Sequence, residues 1–201
     1  RKVEVLFSPS DNSNSEILRT ITTADHALQF AVMVFTRTDL AFGVEERVAT
    51  YGVDAYGILN DSSVSGGPPF LIMQSVMYNN LILYDHAGQT GILHHKYLVV
   101  DQDLPSSDPL VLTGSHNWST SANERNDENI IIIHDALIAN QYYQEFHHLF
   151  TVNGGVIAID EIDAGIGSMM VYPNPTTGNV ILSFNSTQSG NEALIITDIT
   201  G

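Results

Sequence analysis

The sequence predicts an α/β domain, a mostly parallel mixed sheet sandwiched between helices, with a small all-β appendage at its C-terminal end. Three observations predict it. Residues 2–59 read as strand, helix, strand, helix, strand, and that alternation implies parallel strands with helices on the sheet's faces. Leu137, Ile138, Tyr142, Phe146 and Leu149 recur at helical spacing and close the domain. After a Gly-rich, acidic stretch, Val180, Leu182 and Phe184 alternate with Ile181 and Ser183 as a β-strand does.

Taken in order, residues 2–7 read as a first strand. Residues 8–15 are turn-rich, and Asp11 or Ser13 caps a helix running to Asp25. Residues 27–35 are a nearly continuous apolar run, the mark of a strand covered on both faces. Leu40, Val44 and Val48 share one face of a helix over 38–51, and Gly52 ends it. A third strand spans 53–59, and a loop over 60–69 ends in Gly66-Gly67-Pro68-Pro69. A helix over 70–77 and a short strand over 80–84 follow. Then come a strand over 92–101, a polar loop over 102–108 and a strand over 109–113. A short helix over 118–123, a strand over 130–134 and the closing helix over 136–150 complete the domain.

Charge narrows the function classes. Seven Lys and Arg stand against 23 Asp and Glu, a net charge of −16. Such a surface favours solubility and repels polyanions, whereas a nucleic-acid binder carries a basic face. Arg1, Lys2, Arg19, Arg37, Arg47, Lys96 and Arg125 are the whole basic set, so affinity for nucleic acid is expected to be weak and salt-sensitive. The acidity fits an extracellular or salty setting equally well. Cysteine is absent, which excludes disulfides and thiolate metal sites. No run approaches the ~20 apolar residues of a membrane-spanning helix. The chain opens at Arg1 without an initiator Met or a signal peptide, so it is expected to be a fragment or a processed product.

The chemistry concentrates in Ile92-Leu93-His94-His95-Lys96-Tyr97-Leu98-Val99-Val100-Asp101. On a strand, His94 and Lys96 share one face with Leu98 and Val100, while His95, Tyr97, Val99 and Asp101 take the other. An imidazole beside an ammonium is suited to attack or proton transfer next to a held anion. A second stretch answers it: Thr113-Gly114-Ser115-His116-Asn117-Trp118-Ser119, then Asn126-Asp127-Glu128-Asn129 before an isoleucine strand. The bland alternative is a core histidine with a buried lysine beside it. A buried lysine is rare unless paired, and the downstream Asn117 and Glu128 supply a functional reason for one. His95, His116 and Trp118 are read as structural. The histidines include no His-x3-His and no His-Glu-x2-His, so no zinc site is expected.

The His-x-Lys-x4-Asp pattern of His94, Lys96 and Asp101, followed by Gly-Ser-x-Asn and Asn-x-Glu-Asn, resembles the phospholipase D superfamily over residues 1–150. Phe7-Ser8-Pro9 is a phrase frequent in its nuclease-like members. The resemblance implies phosphodiester cleavage without metal or cofactor. One histidine attacks phosphorus to give a phosphohistidine; a second protonates the leaving oxygen and then activates water or an alcohol. By match, His94 is the nucleophile or the acid. Lys96 and Asn117 hold the non-bridging oxygens, and Ser115 supports that phosphate pocket. Glu128 orients His94 through the far ring nitrogen. Asp101 is counted among the catalytic motif residues, yet strand parity turns it to the other face, where a structural part is expected.

The mechanism needs two such half-sites and this chain holds one, since Lys2 and Lys96 are its only lysines. A homodimer across a two-fold axis supplies the second, or a longer parent chain does. The resemblance covers phospholipid and nucleic-acid substrates alike, and phospholipid is placed first because of the charge. A catalytically silent module that binds phosphate-bearing ligands is the alternative from another class; the complete set of His94, Lys96, Asn117 and Glu128 argues against it.

Beyond the domain, residues 151–170 read as a linker, with Gly154-Gly155, Gly165 and Gly167 among Asp160, Glu161 and Asp163. From residue 171, Val-Tyr-Pro-Asn-Pro and a later Asp198-x-x-Gly201 resemble the opening of a type IX secretion sorting domain, here truncated over 171–201. That resemblance implies a partner in the type IX secretion machinery. It also implies a secreted or cell-surface location outside a Gram-negative outer membrane.

Overall fold

A computed structural model describes residues 2–61, 67–84, 88 and 91–157, and the backbone of 166–172 and 181–186. The chain runs β1 (Lys2–Ser8), α1 (Ser13–Thr22), β2 (Ala27–Val32), α2 (Thr38–Tyr51) and β3 (Asp54–Leu59). It continues with α3 (Pro68–Met77), a 3-10 turn (Tyr78–Asn80), β4 (Leu81–Leu83), β5 (Lys96–Val100) and β6 (Leu110–Gly114). Then follow α4 (Thr120–Glu124), β7 (Glu128–His134) and α5 (Ala136–Val152). Residues 1–157 form one compact unit and 158–201 another. In the second, β8 (Ile166–Tyr172) pairs antiparallel with β9 (Ile181–Ser186). β8 therefore begins inside the stretch assigned to the linker. Residues 173–180 and 187–201, which carry most of the sorting-domain resemblance, lie outside the described residues.

The sheet order is β1-β7-β6-β5-β2-β3-β4. This is the expected mixed sheet between helices, but its neighbours correct the expectation of mostly parallel pairing. β2, β3 and β4 pair in parallel. β1–β7, β7–β6, β6–β5 and β5–β2 are all antiparallel. β1, β2, β3, β4 and β6 still share one direction. β5 and β7 insert between them with the opposite one, so the β-α-β opening does not place β1 beside β2.

Alternation sorts the side chains into two cores. Leu28, Phe30 and Val32 join Leu98, Val100, Leu112 and Ile132 beneath α1, α2 and α3. Ala31, Tyr97, Val99 and Val111 face Ala139, Phe146 and Phe150 of α5 on the other side. Burial of rings such as Phe146 stabilises by roughly 1.5–3 kcal/mol each, which anchors α5 to the sheet. Gly52, at φ 72°, ends α2 in the left-handed conformation that suits glycine. Asp135 caps α5, its carboxylate accepting from the amides of Leu137 and Ile138.

α1 stops at Thr22, short of the expected Asp25. The amides of Asp25, His26 and Ala27 turn instead to the Asp101 carboxylate, at 3.0, 2.9 and 2.8 Å. Near that end of the sheet, His134 stands between two acids, with Nε2 2.7 Å from Glu4 Oε1 and Nδ1 2.6 Å from Asp108 Oδ2. The bond to His134, aided by Lys2 and Arg19 and opposed by burial, holds the Glu4 carboxyl down at about 2.

Candidate active site

Strand direction builds the site. β1, β2 and β6 end where β5 and β7 begin, so Ser8 lies opposite Glu128, Val32 opposite Lys96 and Gly114 opposite Ile130. The residues singled out in sequence, Asp101 apart, come from this one end of the sheet.

Lys96 opens β5 and is 5% exposed. Its Nζ donates to the backbone oxygen of His94 at 2.7 Å and lies 3.5 Å from Met33 Sδ. An ammonium has three N–H bonds, so one is left for a ligand. Burial lowers the Lys96 pKa, and the Glu128 carboxylate works against that shift. His94 is not on the strand, as the sequence predicted, but in the lead-in before it, and it is exposed. The physical reason is that β2 and β6 end at this level and leave the lead-in almost nothing to pair with. The amide of Met33 donates to His95 O at 2.8 Å and extends the pairing by that one bond.

Beyond β2, residues 33–36 pin the exit from β6. Trp118 N donates to Val34 O and Thr36 N to Trp118 O, each at 2.9 Å. The Trp118 ring is fully buried, 4.8 Å from the Phe35 ring and 5.8 Å from Phe30. Asn117 is thereby held half-buried, with no protein partner on its Oδ1. Ser115 and Asn129 exchange bonds: the amide of Ser115 donates to Asn129 O at 3.1 Å, and the amide of Asn129 to Ser115 Oγ at 3.1 Å. Gly114 permits this approach. Its φ is 156°, and a Cβ there would sit 2.1 Å from Asn129 O. We expect Gly114→Ala to cost about 2 kcal/mol or more in urea unfolding and to reduce any activity of the site; an unchanged midpoint would contradict the close approach.

Glu128, expected to orient His94, makes no hydrogen bond to it among the described residues. Its Oε1 accepts instead from Asn126 Nδ2 at 3.0 Å, and its charge acts on Lys96 and His116. His116 is 2% exposed with no protein partner on either ring nitrogen, and burial lowers its pKa. Asp101 lies outside the site. At roughly 3.3 Å per residue, five residues along β5 place it about 16 Å from Lys96, where it closes the turn before β2.

Two clefts flank these residues. One, of about 560 Å³, is lined by Phe7, Ser8, Ser115, Asp127, Glu128 and Asn129. The other, of about 370 Å³, lies against α5 and is lined by His94, Lys96, Gly114, Gln141, Tyr142 and Glu145. Met33 and Glu145 were not singled out in the sequence, and Asn129 stood there only as the last residue of Asn-x-Glu-Asn, with no role given to it. The one available signal is that Gln141 and Glu145 stand four apart on α5 and so share a face of the closing helix.

A half-site of this kind, at one end of a seven-stranded mixed sheet, defines a phospholipase D-like domain. The family model described as cardiolipin synthase, PLD-like domain, matches residues 17–150, and the chain belongs to this family. The mitochondrial cardiolipin hydrolase of Xenopus tropicalis is 31% identical over 149 residues, covering 70% of this chain and 62% of that protein. The phospholipase D of Rickettsia bellii is 39% identical over 56 residues, 28% of this chain and 25% of that one. Among solved structures, Nuc from Salmonella typhimurium, a phospholipase D family member, superposes with a TM-score of 0.62 at 21% identity, covering 78% of this chain and 99% of Nuc. NucT from Helicobacter pylori superposes with a TM-score of 0.57 at 22% identity, covering 73% and 96%. At these identities the structural likenesses show the fold.

Proposed function

We propose that the chain is a phosphodiester hydrolase of phospholipase D type, acting through a phosphohistidine on His94 without a metal. The observation that carries this reading is the seating of Lys96. Its buried ammonium is fixed on His94's own carbonyl at 2.7 Å, with a donor to spare at the cleft that His94 also lines. In the first step a His94 ring nitrogen attacks phosphorus and the bond to the leaving oxygen breaks, that oxygen taking a proton from a second histidine. Water then attacks phosphorus, gives its proton to the second histidine, and the phosphorus–nitrogen bond breaks. Lys96 and Asn117 stabilise the non-bridging oxygens, and Ser115, bonded to Asn129, keeps the chain of that pocket in place. The second histidine comes from a second half-site, His94 of a second copy of the chain or a further His-x-Lys in a longer parent chain, since the sequence in hand has a single His-x-Lys.

Phospholipid is the favoured substrate class, and charge pairing supports it. Lys2, Arg19, Arg37 and Arg47 are all engaged with carboxylates. Among the described residues, a polyanion running away from the site would meet little beyond Arg125. The relatives named for cardiolipin hydrolysis and phospholipase D activity support the same class. An endonuclease acting as a homodimer is the second reading, supported by the overlap with Nuc and NucT over nearly their whole length. The test is hydrolysis of phospholipid vesicles and of single-stranded DNA in excess EDTA. The expected result is phospholipid turnover, with DNA cleaved at least about tenfold more slowly and still more slowly as salt rises. Faster cleavage of DNA would put the endonuclease reading in its place, and loss of all activity in EDTA would contradict the metal-free mechanism. The Tyr172-Pro173-Asn174-Pro175 stretch supports export by type IX secretion to the cell surface or beyond; recovery of the parent protein in the cytosol alone would contradict that.

A further inference from the structure

The two residues before β5 have no strand beside them, yet they are held from two sides. On the backbone side, His95 O accepts from Met33 N and His94 O from Lys96 Nζ. On the ring side the holder is Glu145 of α5. Its Oε2 accepts from the Tyr97 hydroxyl, and its Oε1 lies 3.5 Å from His95 Nε2. The rings support the same arrangement: His95 stands edge-on to Tyr97 at 5.4 Å, and Tyr97 edge-on to Tyr142 at 5.2 Å. Glu145 sits on a rigid base, because its neighbour Phe146 is fully buried and stacked on Phe150 at 5.4 Å. Tyr97 is equally fixed, at 2% exposure within β5. One carboxylate therefore joins a rigid helix, a rigid strand residue and the ring next to His94.

We propose that Glu145 is a positioning residue, which holds the His95 ring against Tyr97 and so sets the direction in which His94 faces the site. Its catalytic consequence rests on the reading of His94 as the nucleophile. The chemistry explains why a carboxylate stands there: one oxygen accepts from the Tyr97 hydroxyl while the other presents its charge to the His95 ring 3.5 Å away. Alanine removes both contacts. Glutamine keeps a carbonyl oxygen for the Tyr97 hydroxyl and loses the charge facing His95. The cleft of about 370 Å³ in front of this cluster gives the lead-in room to move when the clamp is lost.

The test uses the full chain with Glu145→Ala and the near-isosteric Glu145→Gln, and reads histidine ring signals by NMR alongside kinetics on a chromogenic phosphodiester. His94→Ala and His95→Ala spectra provide the assignments. In Glu145→Ala the His94 and His95 ring signals should shift while those of His26 and His134 stay. There kcat should fall about tenfold or more with KM within about twofold, and Glu145→Gln should lie between Ala and native. Ring signals of His94 and His95 that match the native ones in Glu145→Ala would overturn the proposal; should that variant not fold, the same result in Glu145→Gln would do so. A native chain that hydrolyses nothing, with ring signals that still shift, would keep the clamp and remove the hydrolase reading.

Discussion

If the proposed mechanism holds, His94→Ala will lower kcat for phosphodiester hydrolysis by at least about 10³-fold, because the imidazole that attacks phosphorus is removed and the neighbouring His95 is held by Glu145 on the other side. The same substitution will leave the thermal midpoint within a few degrees. The imidazole is exposed and lies before β5, and exposed substitutions of this kind change stability by about 0.5 kcal/mol or less. Kinetics and a melting curve on one preparation check both halves. Activity within tenfold of native would remove His94 from the mechanism. A large drop in the melting midpoint would show that His94 holds structure, and the activity loss would then say little about chemistry.

Asp101→Ala is expected to do the opposite, costing about 3 kcal/mol or more of stability. Asp101 is fully buried and accepts from the amides of Asp25, His26 and Ala27 and from the Ser107 hydroxyl at 2.6 Å. Removing it strips four donors of their acceptor, and its φ of 49° is poorly suited to alanine. Asp101→Asn, which keeps one carbonyl oxygen and tolerates that conformation, is expected to cost less. Burial alone would raise the Asp101 pKa, but the Ser107 hydroxyl and the three amides outweigh it, and the pKa is lowered. Its contribution is therefore complete above the ordinary carboxylate range and is lost as pH falls through the lowered folded-state value. Urea unfolding from neutral pH downward should show the native advantage over Asp101→Ala shrinking only in acid. An advantage that vanished near neutrality would contradict the cap.

Much of this was legible because the signals are local. The apolar run of β2 reads as a doubly covered strand, and Leu40, Val44 and Val48 with Gly52 after them read as α2 and its stop. Parity alone separated Asp101 from Lys96. Pairing partners are not local. Nothing near Ile130 says that β7 lies between β1 and β6, so the antiparallel half of the sheet was not legible. The same holds for the end of β5. Strand-like residues continue back to Ile92, but a strand needs a neighbour, and β2 and β6 stop at Lys96 and Tyr97. In the site, Lys96, Ser115, Asn117 and Glu128 were legible as types at a spacing. The bond from Lys96 to the His94 carbonyl, and the reach of Glu145 across 50 residues of chain, depend on tertiary packing.

The central claim is that His94 carries the phosphoryl group. Chain denatured in alkali during turnover of a phosphodiester in excess EDTA, and kept alkaline because a phosphorus–nitrogen bond to histidine is lost in acid, should be digested and read by mass spectrometry. The account requires a peptide containing His94 that has gained the substrate's phosphoryl portion, with the adduct absent from His94→Ala. Turnover with the adduct on another residue, or steady turnover by a chain whose His94 peptide never gains mass, would contradict it.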